Sequence, residues 1–138
     1  GLDYRMGAVI NLHNIGDVHF RLGDHARAWA AFKKSRDIAS ASGYAPGVVM
    51  NDAFMAYLEG KKGEPDIDDR LVAITEQADR TAHNETRVNA RFLLGKHREE
   101  GGDQDGARAV WQEGVDLAAS LDAPQLAREL KASLAGLG

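Results

Sequence analysis

Along most of the chain, apolar residues return every three or four positions with polar ones between them. Leu126, Leu130 and Leu134 form one such stripe, with Arg128, Glu129 and Lys131 placed to face water. That period belongs to a helix with one buried face, because 3.6 residues per turn puts i, i+4 and i+8 on the same side. Alanine and leucine are plentiful and β-branched runs are few, which favours helix again. The breaks fall at Gly23-Asp24, Gly43, Gly60, Gly63, Gly101-Gly102-Asp103 and Asp122, and the only prolines are Pro46, Pro65 and Pro124. Glycine tolerates the left-handed conformation that ends a helix, and an aspartate side chain accepts from the free N–H groups that begin one. This punctuation predicts seven helices, near 4–22, 24–42, 46–60, 67–82, 84–100, 104–120 and 124–135, joined by short turns into antiparallel pairs.

The chain also repeats itself. A gap-free shift of 79 residues superposes Ile15-Gly16 on Leu94-Gly95, Gly23-Asp24 on Gly102-Asp103, Ala28 on Ala107 and Phe32 on Trp111, and continues through Ser35 on Gly114 to Ile38-Ala39 on Leu117-Ala118. A shift of 37 places Asn14 on Asn51, Gly16 on Ala53 and Gly23 on Gly60, so 46–60 opens a middle repeat. The second helix of that repeat is displaced by about six extra residues around Lys61-Lys62-Gly63-Glu64-Pro65-Asp66, since Gly60 to Leu71 spans eleven residues where Gly23 to Ala28 spans five. Small residues recur where paired helices must approach closely: Gly16, Ala28 and Ser35, then Gly95, Ala107 and Gly114. Phe32 and Trp111 follow the small Ala28 and Ala107 by one turn on the same face, as knobs against the partner helix.

This pattern resembles the tetratricopeptide repeat, whose signature is W-x2-L-G-x2-Y, then A-x3-F, then P. Here it stands as Leu12-x2-Ile15-Gly16-x2-His19 with Ala28-x3-Phe32, and as Arg91-x2-Leu94-Gly95-x2-Arg98 with Ala107-x3-Trp111. The signature Trp, Tyr and Pro are replaced, the middle repeat matches in its first helix only, and the spacing is that of the longer variants found in bacterial signalling and regulatory proteins. The resemblance implies an all-α, right-handed superhelical array of antiparallel helix pairs over a single domain, 1–138. Its repeats would span about 9–42, 46–82 and 84–121, with a capping helix at about 124–135.

Members of this family bind peptides or partner proteins on a concave face lined by the first helix of each pair, and are not catalytic as a class. Carried over position by position, the groove is expected to be His13, Asn14, Asp17, Phe20 and Arg21 from the first repeat. The second repeat supplies Met50, Asn51, Phe54, Tyr57 and Leu58, and the third Asn89, Phe92, Lys96 and Glu99. Its middle third is apolar and aromatic with polar flanks, the composition of an interface hot spot. The alternative for Met50, Phe54 and Leu58 is that they turn inward to pack the irregular middle repeat. Asn14 and Asn51 are equivalent, and amides in a row could hold an extended backbone without reading its sequence. His13 and Asp17 stand where carboxylate-gripping relatives carry Lys, Asn and Arg, which argues against a clamp for chaperone tails. Tyr57→Ala is expected to weaken partner binding with little loss of folding.

Composition narrows the remaining classes. The chain has 138 residues, 17 Lys+Arg against 21 Asp+Glu for a net charge of −4, and no cysteine. Disulfides, zinc ribbons and thiol catalysis are thereby excluded, and the mild acidity argues against nucleic acid. No apolar run approaches the ~18 residues of a membrane span and no secretion signal is evident, so the expected compartment is the cytoplasm. Residue 1 is Gly instead of Met, read as the start of an excised piece of a longer protein or of a processed form, and the use of Arg and Ala over Lys points to a regulatory region of a larger bacterial protein. His13 and Asp17 with His19, Asp24 and His25 could suggest a metal or acid–base site, but no H-E-x-x-H motif or third ligand on that face accompanies them. The acidic run Glu64, Asp66, Asp68 and Asp69 lacks calcium-loop spacing and is expected to cap the following helix. No phosphate loop or nucleophile elbow is present. The expectation is a non-catalytic module with no cofactor and a protein or peptide partner; its rival is self-association, a homodimer formed through exposed edge or groove surface.

Overall fold

The computed structural model describes residues 2–137. Among them are seven helices and no strand: α1 (Leu2–Arg21), α2 (His25–Ala41), α3 (Ala45–Lys61), α4 (Ile67–Thr81), α5 (Asn84–Glu100), α6 (Gln104–Ser120) and α7 (Pro124–Gly136). Each agrees with its predicted range to within two residues.

The turns show why. At the end of α1, Asp24 N–H donates to His19 O (2.9 Å) and Gly23 N–H to Phe20 O (3.1 Å), with Gly23 at φ +81°. This is the paired C-terminal bonding that needs a left-handed residue after the cap. The aspartate that completes it then begins the next helix, its Oδ1 accepting from Arg27 N–H at 3.2 Å. Seventy-nine residues on, Gly102 and Asp103 repeat the arrangement, with Asp103 Oδ1 accepting from Gly106 N–H at 2.9 Å. A Gly-Asp dipeptide therefore stops one helix and starts another within three residues, which returns α2 alongside α1 and α6 alongside α5.

Each helix packs on the next, and α3 packs additionally on α5, α5 on α7, and α1 slightly on α3. The small-residue positions are the contact points. A Cβ on Gly16 would lie 2.7 Å from the Phe32 ring, and one on Gly114 would lie 2.8 Å from Leu130. Ala28, Phe32, Ala107 and Trp111 are all buried.

Where the family signature has Trp and Tyr, the third repeat has Arg91 and Arg98, and α4 supplies their counterions. Arg91, only 6% exposed, donates twice to Asp79 (2.8 Å each), once to Glu113 (2.8 Å) and once to Arg87 O (3.1 Å). Arg98 donates to both oxygens of Asp68 at 2.8 and 3.2 Å. The guanidinium beside each carboxylate holds Asp79 and Asp68 below the usual carboxylate range. The acidic run stands at the start of α4 as expected, Asp66 at the N-cap and Asp68 and Asp69 in the first turn, but it forms no side-chain cap. Asp68 spends its carboxylate on Arg98, and Asp66, at the N-cap, makes no side-chain capping bond.

Candidate functional site: the face of the first helices

α3 lies between α2 on one side and α4 and α5 on the other, so little of its surface remains free. Its inner face meets those of α1 and α5 in a connected depression with α7 along its far wall. The widest part, about 470 Å3, is lined by Asp17, Phe20, Arg21, His25, Phe54, Tyr57, Lys61, Asn89, Phe92, Lys96, Glu100 and Glu129. It continues through Asp17, Arg21, Phe54, Asn89, Phe92 and Glu129 toward His13, Asn14 and Leu126. From His13 and Asn14 it passes into a recess beside Ile10, Tyr44, Pro46 and Met50.

The floor is aromatic because the same helix faces carry rings in register. Phe54 stacks on Phe32 (centroids 4.8 Å apart) and takes Phe20 edge-on (5.3 Å), and Phe20 is 5.6 Å from Tyr57. His13 sits 5.2 Å from both Phe32 and Phe54. Such offset and edge contacts fix the rings beyond simple burial.

Ion pairs flank this floor. Tyr57 Oη donates to Glu100 Oε1 at 2.5 Å, Lys61 Nζ to Glu100 Oε2 at 3.2 Å, and Lys96 Nζ stands 3.8 Å from that same oxygen. Both lysines also approach the Tyr57 ring, at 6.0 and 5.9 Å. Burial first, and the bond to Glu100 second, hold the Tyr57 phenol well above its ordinary range. On the opposite wall Arg21 donates to Asp17 (3.1 Å) and reaches across the depression to Glu129 of α7 (2.6 Å). Glu129 is the leading cause of the raised Arg21 pKa.

Of the residues expected in the groove, His13, Asn14, Asp17, Phe20, Arg21, Met50, Phe54, Tyr57, Asn89, Phe92 and Lys96 line this depression. Met50 and Phe54 do so with one edge only, since both are otherwise buried in the core. Leu58 does not belong there: it faces inward among the core residues, 1% exposed.

Asn51 is the larger correction. It borders the recess but is 0% exposed, and its amide is fully spent inside the protein. Its Nδ2 donates to Ser35 Oγ (2.9 Å) and Gly47 O (2.8 Å), while Ser35 Oγ donates to Val9 O (2.7 Å). With both amide hydrogens used, Oδ1 is the atom facing His13 Nδ1 at 2.9 Å, so His13 carries a proton on Nδ1. Asn14, its repeat equivalent, is exposed, and the two asparagines form no row for a peptide backbone.

Tyr57 requires a similar revision. At 2% exposure with its hydroxyl bonded, its removal would open a cavity and strip Glu100 of a donor, so Tyr57→Ala is a folding variant as well as a groove variant. His13 and Asp17 do not converge, because one turns to Asn51 and the other to Arg21. Among the described residues no group of three or more His, Asp or Glu side chains is placed to hold a metal ion.

Lys61, Glu100 and Glu129 were not read from the sequence. Glu100 had a local signal, standing four residues after Lys96 on one face of α5. Glu129 had none, since its position depends on how far α7 swings toward α1. Among the described residues no helix is long and apolar enough to cross a membrane. No known protein family, curated protein or solved structure matches this chain.

Proposed function

We propose that the chain is a tetratricopeptide-like, non-catalytic scaffold that binds an extended peptide or a helix of a partner protein along the face of α1, α3 and α5. The observation that carries this reading is the connected depression itself. Its floor exposes the edges of Phe20, Phe54 and Phe92, and its walls present hydrogen-bonding and charged groups of both signs. Apolar anchors with a polar rim suit peptide recognition, in which a few buried side chains supply most of the affinity. The ion pairs Arg21–Glu129 and Lys61–Glu100 are exposed enough to exchange partners at little cost, roughly 0–1 kcal/mol each. A ligand can therefore enter without dismantling the fold. The right-handed superhelix, the cytoplasmic setting and the role as part of a larger bacterial regulatory protein belong to the same proposal.

The test is to pan a random peptide library against the chain and titrate the enriched sequences calorimetrically into wild type, Phe92→Ala and Asn14→Ala. Phe92 is half-buried at the edge of the depression, so its truncation should weaken binding about tenfold or more, a loss of about 1.4 kcal/mol. No enrichment over an unrelated helical protein, or equal affinity for all three forms, would refute the assignment.

A further inference from the structure

The exposed large hydrophobic side chains among the described residues are Tyr4, Ile10, Ile15, Val18 and Leu22, all on α1 or the turn that ends it. Ile10 borders the recess described above. The other four lie on the opposite side of α1, in the series Tyr4, Ala8, Asn11, Ile15, Val18 and Leu22. Steps of four and three alternate through that series, which is the spacing of a helix seam that pairs with another helix.

The corresponding faces of the other first helices are covered. On α5 the equivalent of Ile15 is Leu94, 3% exposed beside Val72 and Thr75 of α4, and Arg98 of that face bonds Asp68 of α4. On α3 the equivalent of Ile15 is Asp52, bonded by Arg36 of α2. In both cases the preceding helix occupies this face, and among the described residues no helix does so on α1.

We propose that a second copy of this chain occupies it, α1 against α1 about a two-fold axis. Tyr4 is 81% exposed, Leu22 76%, Val18 57% and Ile15 49%, leaving roughly 500 Å2 of mostly apolar surface, the size of the largest patch on an ordinary monomer. Pairing two stripes hides about 1,000 Å2 or more, the lower end of specific association. No charged residue interrupts the stripe, so the pairing opposes no like charges. A head-to-tail stack is disfavoured, because the outward side of α7 presents Arg128 and Lys131, both exposed, while its leucines face the core. An isologous contact closes at two copies and leaves the α1–α3–α5 depression open in each.

The experiment is sedimentation equilibrium of the chain over a concentration series, beside Val18→Glu/Leu22→Glu and Lys96→Glu. The expected result is a monomer–dimer equilibrium that plateaus at two copies and persists in Lys96→Glu. The double variant should dissociate at least about a hundredfold more readily, with unchanged far-ultraviolet dichroism and, at dilutions where the wild type is also monomeric, the wild-type melting temperature, because both positions are exposed in the monomer. A monomer at every concentration, a mass that climbs past the dimer, or a dimer unaffected by Val18→Glu/Leu22→Glu would overturn the proposal. Loss of the dimer in Lys96→Glu alone would overturn it too, by placing the contact in the depression.

Discussion

Replacing Asn51 by Ala should destabilise the protein far more than replacing its repeat equivalent Asn14. Asn51 joins three helices: its amide reaches Ser35 of α2 and Gly47 of α3, and its oxygen accepts from His13 of α1. Truncation leaves the His13 Nδ1–H without its acceptor in a half-buried site walled by Phe32 and Phe54, which costs about 1–3 kcal/mol. Ser35 Oγ retains Val9 O as its acceptor and Gly47 O retains its helical donor, so those two losses are smaller. The void adds about 1 kcal/mol because a site packed from three sides collapses poorly. The sum is about 2–4 kcal/mol, and at this chain length the melting temperature should fall by roughly 10 °C. Asn14 is exposed and its side chain bonds none of the described residues, so Asn14→Ala should stay within about 0.5 kcal/mol of wild type. Urea unfolding of both variants, followed by far-ultraviolet dichroism, decides the matter. A loss below about 0.5 kcal/mol for Asn51→Ala, equal to that of Asn14→Ala, would show that the buried amide network does not hold α1, α2 and α3 in place.

Three further substitutions have expected outcomes. Gly95→Ala drives a Cβ into Trp111 Nε1, which is pinned by donating to Phe92 O at 3.0 Å. It should cost about 1–3 kcal/mol despite alanine's better helix propensity. Gly7→Ala meets nothing within 4 Å and should gain up to about 1 kcal/mol, so thermal melts of the pair separate crowding from propensity. Asp79 and Asp68 have native pKa values below their ordinary 3.8, so their contribution is complete above that value and is lost as pH falls through the lowered native ones. Arg91→Met should therefore be less stable than wild type at pH 7, by about 1–2 kcal/mol allowing for solvent screening at the part-exposed carboxylates. That gap should narrow in urea titrations below pH 3.8, and a gap that does not change with pH would contradict the ion-pair account.

The helices were legible because their boundaries are written locally: a Gly-Asp dipeptide ends one helix and caps the next whatever else surrounds it. The close approaches at Gly16 and Gly95 were legible for the same reason, since each small residue is matched by a ring on the helix that follows. Position in the repeat did not reveal exposure. Asn14 and Asn51 share a register, yet α1 has a single close neighbour while α3 has α2, α4 and α5 around it. The same side of the helix is open in one case and sealed in the other, which is also why Leu58 turned inward. Glu129 and Glu100 complete the depression through the placement of α7 and the end of α5, a property of accumulated helix tilts that no short spacing records. The replacements of Trp and Tyr by Arg91 and Arg98 read as departures from a pattern until α4 is seen to carry Asp79 and Asp68 opposite them.

The bridge from Arg21 to Glu129 joins residues 108 apart, whereas the helix packing elsewhere ties each helix to the next or to the one after. Low sequence separation favours fast folding that can start within any helix pair and spread outward. The bridge takes no part in that nucleation, since it forms only after every intervening helix is in place. Exposed at both ends, it is too weak to make the seven helices cooperate as a closed ring. The chain should therefore come apart from its termini inward. In the monomer α1, gripped within the chain mainly by α2, should exchange its amide hydrogens well before α3 and α5.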